Sequence, residues 1–114
     1  MNNDCLFCKI AAGEIPSDKV YEDDKILAFK DINPQAPVHV LIIPKAHYDS
    51  VNALDEASAP IVGDIMLAAK KLASELGLGD GYRIITNIGE NGGQTVKHLH
   101  FHLLGGVKLS EKMT

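Results

Sequence analysis

The sequence predicts an α+β domain with a mainly antiparallel five-stranded sheet, one long helix and a short N-terminal helix. Three observations predict it. Five short runs are apolar, several of them rich in β-branched residues, and are bounded by turn residues. One long stretch has apolar residues at helical spacing. The two kinds of segment do not alternate as repeated strand–helix–strand units, which argues against a parallel sheet.

The elements follow in order. Leu6 to Ala12 is short and helix-compatible, and Gly13 ends it. Val20 to Glu22 and Ile26 to Phe29 read as two strands around the polar turn Asp23-Asp24-Lys25. Asp31 to Pro37 holds two prolines and reads as a loop. Val38 to Ile43 is an apolar, β-branched run that Pro44 stops, as in a buried strand. The long helix is expected from about Glu56 to Leu76, capped by Asp55 or Ser58, with Pro60 in its first turn and Gly77 at its end. One apolar stripe is Ile61, Ile65, Leu72 and Leu76; its neighbour is Val62, Met66, Ala69 and Ala73. This broad face is read first as core packing, with a dimer interface as the alternative. Tyr82 to Asn87 and Val96 to Leu104 complete the strands, with the glycine-rich loop Gly89 to Thr95 between them.

Composition bounds the function. A chain of 114 residues fits one domain over 1–114 with a modest core. The net charge of −4 argues against wholesale nucleic-acid binding, which favours a basic surface. No apolar run approaches the ~18 residues of a membrane span. Met1-Asn2-Asn3-Asp4 has neither the positive start nor the apolar stretch of a signal peptide, so the expected compartment is the cytoplasm. In that reducing setting the two cysteines are read as free thiols or ligands rather than a disulfide.

The densest chemistry lies in His98-Leu99-His100-Phe101-His102-Leu103-Leu104. On a strand, successive side chains alternate faces, so His98, His100 and His102 share one face. Leu99, Phe101 and Leu103 share the other and are expected against the core. Adjacent histidines on one face sit about 6.6 Å apart and the outer pair about 13 Å apart. A straight strand cannot easily bring all three imidazoles to one metal ion. The ends therefore serve different sites, with His100 central. Imidazole suits attack on phosphorus because it is largely neutral near pH 7 and nucleophilic at one nitrogen. His102 could donate to phosphate oxygens. The glycines before the strand allow backbone N–H groups to turn toward an anion.

The His-φ-His-φ-His-φ-φ pattern of these residues, where φ is apolar, resembles the signature of the histidine triad superfamily of nucleotide hydrolases and transferases. Asp31-Ile32-Asn33-Pro34-Gln35-Ala36-Pro37-Val38-His39 is similar to that family's nucleoside-binding stretch. Gly92-Gly93-Gln94-Thr95-Val96 is similar to its phosphate loop, and Gly105-Gly106 ends the strand as in the nucleotide-binding Hint-like branch. The resemblance covers nearly the whole chain. It implies a histidine triad fold, a homodimer with the long helix and a strand at its interface, and a purine nucleotide partner such as an AMP or GMP conjugate. It also implies roles. His100 is nucleotidylated and then released by water, His102 contacts the phosphate, and His39 supports the site. Asn87, Gly93, Gln94 and Thr95 bind ribose or phosphate, and Thr95 assists the leaving group. Asp31 and Ile32 line the nucleoside pocket, with Asp31 toward the ribose hydroxyls. Thr95 departs from the serine frequent in that branch, and Gln94-Thr95-Val96-Lys97-His98 reads more like the dinucleoside polyphosphate hydrolase branch. Both residues supply a hydroxyl.

Cys5-Leu6-Phe7-Cys8 has metal-ligand spacing. It also fits a redox pair or two small buried residues. His47 lies just past the strand ending at Pro44, and His98 is the histidine that geometry sends away from His102. Cys5, Cys8, His47 and His98 make a tetrahedral set with no open position, as in a structural zinc site. Such a site pins the N-terminus to the sheet. The leading activity is therefore hydrolysis or transfer at the α-phosphate of purine nucleoside phosphoramidates or related nucleotides, through a nucleotidyl-histidine. A metal-dependent hydrolase with catalytic zinc is a second reading. A nucleotide-binding adaptor whose hydrolysis is incidental is a third.

Overall fold

The computed structural model describes residues 4–112. Met1 to Asn3, on which the signal-peptide reading partly rested, lie outside the described residues, as do the last two. The chain runs α1 (Leu6–Ala11), β1 (Lys19–Glu22), β2 (Ile26–Lys30), β3 (Val38–Pro44), a short 3₁₀ turn (Val51–Ala53), α2 (Pro60–Glu75), β4 (Arg83–Ile85) and β5 (Phe101–Gly105). The five strands form one antiparallel sheet in the order β1-β2-β3-β5-β4. No helix among the described residues is long and apolar enough to cross a membrane.

Two apolar layers flank the sheet. On one face α2 lays Ile65, Ala69, Leu72 and Ala73 against residues such as Ile42 and Leu103. Leu99, Phe101 and Leu103 belong to this layer, as their alternation predicts. On the other face α1 lays Phe7 and Ile10 against Leu27, Phe29, Leu41 and Ile43. Strands β2 and β3 are thus covered on both sides, which is why they read as near-continuous apolar runs rather than alternating ones.

Three boundaries differ from expectation by two residues or more, each for a physical reason. The long helix begins at Pro60 rather than Glu56. Asp55 and Ser58 cap the turn before it: the Ser58 N–H donates to Asp55 Oδ1 and the Asp55 N–H donates to Ser58 Oγ, both at 2.9 Å. Proline has no N–H to continue that ladder, so the helix starts afresh at its first position. Gly77 ends it as predicted, with φ of 78°. The Leu78 N–H reaches the Ala73 carbonyl at 2.8 Å and the Gly77 N–H the Ser74 carbonyl at 3.3 Å, a Schellman closure.

β4 spans Arg83–Ile85, shorter than Tyr82 to Asn87. Thr86 leaves the ladder because its hydroxyl donates to the His100 carbonyl at 2.7 Å, and the Asn87 amide donates to the Gly92 carbonyl at 2.8 Å.

The most consequential difference is in the histidine segment. β5 begins at Phe101, not Val96. Its pairing with β3 stops at Ile42↔Phe101. Pro44, two residues beyond, cannot donate to a ladder. Residues 96–100 are held instead by local bonds: the Leu99 N–H donates to the Tyr48 carbonyl at 2.6 Å, and the His98 N–H to the Val96 carbonyl at 2.9 Å. Only His102 of the three histidines sits in the ladder proper.

Candidate active site and metal centre

The sheet face covered by α1 holds both clusters of chemistry. His39 and His102 are side by side there, because β3 and β5 pair Leu41 with His102 and His39 with Leu104. The His39 and His102 rings approach to 2.8 Å, Nε2 to Nδ1. Asp31, just after β2, brings Oδ2 to 3.4 Å from the same His39 nitrogen.

Hydrogen-bond partners assign the tautomers along this chain. The Gln35 backbone N–H donates to His39 Nδ1 at 3.0 Å, so neutral His39 carries its proton on Nε2. That proton goes to His102 Nδ1. Neutral His102 then carries its own proton on Nε2, free to donate elsewhere. His100 is set the opposite way. Its Nδ1 donates to the His98 carbonyl at 2.7 Å, so the lone pair is on Nε2. One ring presents a lone pair and its neighbour an N–H, with centroids 5.2 Å apart. Asp31, His39 and His102 also bring three ligand-type atoms within 4.8 Å. With the His39 Nε2 lone pair replaced by a proton, this set is a hydrogen-bond relay rather than a metal site.

Electrostatics favour neutral rings. Burial lowers the His39 pKa, opposed by the Asp31 charge. Burial, then the His100 and His39 charges, push His102 down to about 4. His102 therefore binds a proton more readily in the unfolded chain than in the folded one. Its contribution to stability is present above pH 6.5 and is lost as pH falls toward 4. Thermal melts at pH 7 and pH 5 should show wild type losing more stability than His102→Asn on acidification. Parallel losses in the two proteins would contradict this assignment.

A cavity of about 300 Å³ opens beside these rings. His100, His102, Thr95, Asp31 and Ile32 line it, with Ile32 fully exposed at its rim. Its apolar walls are Phe7 and Ile10 from α1, Ile15, and Phe29 and Leu41 from the sheet. Sequence reasoning missed these walls. The signal was present: if Cys5 and Cys8 pin the N-terminus beside His98, the apolar residues Phe7 and Ile10 must lie against the histidine segment. Phe7 in fact stands edge-on to His100 with centroids 5.1 Å apart.

Asn87, Gly93 and Gln94 do not line the cavity. The Asn87 amide donates to the Gly92 carbonyl, and the Gln94 amide bonds Gly89, Asp49 and Val96. The N–H groups of Gly92, Gly93 and Gln94 donate to the carbonyls of Gly89, Glu90 and Gly89. The expectation that this loop turns those N–H groups toward an anion is not met at these three positions, because the loop closes on itself. Gly92 is required by that closure: a Cβ there would lie 2.3 Å from the Ile88 carbonyl oxygen.

The second cluster is Cys5, Cys8, His47 and His98, whose ligand atoms all lie within 4.8 Å of one another. Cys5 sits just before α1 and Cys8 within it. The Nδ1 atom of His98 lies 3.2 Å from Cys5 Sγ and 3.5 Å from Cys8 Sγ, and that of His47 3.2 Å from Cys8 Sγ. Tetrahedral zinc with ordinary bond lengths needs edges of about 3.3–3.8 Å. The tautomers supply a stronger test. His98 Nε2–H donates to the Pro44 carbonyl at 2.8 Å, and His47 Nε2–H to Asp49 Oδ1 at 2.7 Å. Both Nδ1 atoms therefore present lone pairs, and they face each other at 3.2 Å. Two lone pairs at that distance repel unless a cation lies between them. The outer bonds to a carbonyl and a carboxylate are those that orient metal-bound histidines. The four residues fit a structural zinc with every position filled. Burial, then the neighbouring Cys5, raise the Cys8 thiol to about 11, so a cation is also what would hold it as thiolate.

Comparison with known proteins agrees with this geometry. The family model described as the HIT domain matches residues 12–109. The chain is 48% identical over 103 residues to Protein HitA of Neisseria gonorrhoeae, covering 90% of this chain and 96% of that one. It is 50% identical over 108 residues to the 14 kDa zinc-binding protein of Zea mays, covering 92% and 84%. Among solved structures, a HIT family hydrolase from Clostridium thermocellum superposes with a TM-score of 0.97 at 53% identity, with all of both chains covered.

Proposed function

As the chain belongs to the HIT domain family, we propose that it is a nucleotide hydrolase of the Hint-like branch, acting at the α-phosphate of purine nucleoside phosphoramidates or related nucleotides. The observation that carries this reading is the bond from His100 Nδ1–H to the His98 carbonyl, which leaves the Nε2 lone pair on a ring lining the cavity.

The reaction follows from the tautomers. The nucleoside lies against Phe7, Ile10, Phe29 and Leu41, with its ribose hydroxyls toward Asp31. His100 Nε2 attacks the α-phosphorus and forms a P–N bond. The bond to the leaving group breaks and its electron pair departs with that group, which takes a proton from solvent relayed by the Thr95 hydroxyl; the attacking water of the second step returns one proton to solvent. His102 Nε2–H donates to a phosphate oxygen as negative charge is redistributed in the transition state. Water then attacks phosphorus, the P–N bond breaks, and its pair returns to Nε2 as AMP or GMP leaves. His39 holds His102 in the donating tautomer and Asp31 orients His39.

The test is single-turnover reaction of adenosine phosphoramidate beside diadenosine polyphosphate, each quenched in alkali. The expected result is an acid-labile, alkali-stable adduct carrying one AMP per chain, formed faster from the phosphoramidate. Faster reaction of the dinucleotide would assign the chain to the polyphosphate hydrolase branch. Turnover with no adduct would overturn the covalent route.

We infer further that the chain works as a homodimer. β4 is the outer strand of the sheet, and nearby apolar residues such as Tyr82 and Val107 are exposed. Leu67, on the outer face of α2, is also exposed. Sedimentation at micromolar concentration should give about twice the chain mass; a monomer there would contradict the inference.

A further inference from the structure

The Gln94 side chain has every polar atom engaged, and its partners lie in two different sites. Its Oε1 accepts from the Gly89 N–H at 2.9 Å, at the start of the glycine-rich loop. Its Nε2 donates to the backbone carbonyls of Asp49 and Val96. Asp49 is the residue whose carboxylate takes the His47 Nε2 proton. The Val96 carbonyl also accepts from the His98 N–H. One amide thus ties the loop to the two residues that hold His47 and His98, the histidines of the zinc cluster.

The other end of the bracket reaches the cavity. Thr95 follows Gln94 directly and lines it. The loop between is stiff, because its N–H groups close on Gly89 and Glu90 and the Asn87 amide holds the Gly92 carbonyl at 2.8 Å. A stiff loop anchored at one amide transmits displacement rather than absorbing it.

We propose that Gln94 is a positioning residue that couples the zinc cluster to the phosphate end of the cavity, so that zinc and a bound phosphate group each strengthen the binding of the other. The inference rests on the nucleotide reading above. Linkage makes the effect reciprocal: if zinc orders the loop for phosphate, phosphate must raise the affinity for zinc by the same factor. A second route joins the same sites, since Cys5 and Cys8 also fix α1 and hence the Phe7 wall. That route touches the nucleoside, whereas the Gln94 route reports on the phosphate. Adenosine and AMP separate them.

The experiment uses the zinc-loaded protein and measures the equilibrium release of zinc to a competing chromogenic chelator, alone, with saturating adenosine and with saturating AMP. Wild type should hold zinc about fivefold more tightly with AMP than with adenosine, the lower end of ordinary coupling. In Gln94→Glu, which keeps the Oε1-type acceptor and loses both donations, the AMP increment should vanish while the adenosine effect stays. Gln94→Met, which loses all three bonds, should behave like Gln94→Glu in this respect. Equal release with adenosine and AMP in wild type would overturn the coupling even if neither variant folds. An AMP increment preserved in Gln94→Glu would overturn the role of Gln94. Calorimetry of AMP on wild type separates the two levels: AMP that binds without tightening zinc removes only the coupling, whereas AMP that does not bind removes the nucleotide reading as well.

Discussion

His100→Ala is expected to lower turnover by roughly 10³-fold or more, the scale on which removing a nucleophile acts, while leaving the fold and nucleotide affinity largely intact. The variant loses one hydrogen bond to the His98 carbonyl and its edge-on ring contacts with Phe7 and His102. A net hydrogen bond is worth about 1 kcal/mol, too little to unfold a domain with two apolar layers. The nucleoside walls do not include His100's reacting nitrogen, so AMP should still bind within a few-fold of wild type. No phosphate should remain on the protein after alkaline quench. His100→Asn sharpens the reading, because it keeps polarity and approximate size without an equivalent nucleophile; it should be as inactive as alanine. Turnover within tenfold of wild type in either variant would exclude His100 as nucleophile.

Cys5→Ser should have the opposite signature: loss of zinc and of stability first, with activity following. The substitution removes one thiolate from the set and leaves the His47 and His98 lone pairs facing each other at 3.2 Å with a weakened cation site. It also frees α1. A helix of six residues has no independent stability and holds its place through tertiary contacts and tethers. Metal binding free energy appears directly as folding free energy. A loss of several kcal/mol corresponds to a Tm drop of at least about 10 °C, at roughly 4–8 °C per kcal/mol for small domains. Metal analysis should fall from near one zinc per chain to near none. His98→Ala should match it, while His100→Ala retains both metal and Tm. A Cys5→Ser protein with full zinc and unchanged Tm would refute the structural role. Chelation that abolishes turnover without lowering Tm would favour catalytic zinc instead.

His98 and His100 are two positions apart yet reach different clusters, because the segment bends between them. The alternation His98, His100, His102 suggested a continuous strand with three rings on one face. In the folded chain β5 starts at Phe101, and residues 96–100 leave the ladder where Pro44 cannot donate. His98 turns to Cys5, Cys8 and His47, and His100 to the cavity. His98 and His100 do reach different clusters, but that separation comes from a bend rather than from strand pitch. The apolar side of the pattern was more faithful: Leu99, Phe101 and Leu103 do face the α2 layer.

Other parts of the site were legible to different depths. Cys5, Cys8, His47 and His98 could be proposed as a set because ligand chemistry restricts which residues qualify. Which nitrogen each histidine presents could not, since it depends on Pro44 and Asp49 as outer partners. Asp31, His39 and His102 form a relay whose direction is decided by one backbone N–H, that of Gln35. The Gln94 amide bonds Gly89, Asp49 and Val96, partners that no motif in the sequence names.

The sequence by itself determined the fold class, the strand and helix inventory, the family and the residue types of both clusters. Periodicity, turn residues and ligand chemistry are local or compositional properties, and they are readable along the chain. Only the tertiary structure decided the cavity walls, the bend before β5, the tautomers and the partners of the Gln94 amide. Each of those depends on which atoms meet across separations of tens of residues, and a hydrogen bond's direction is set by the partner on the far side of the meeting.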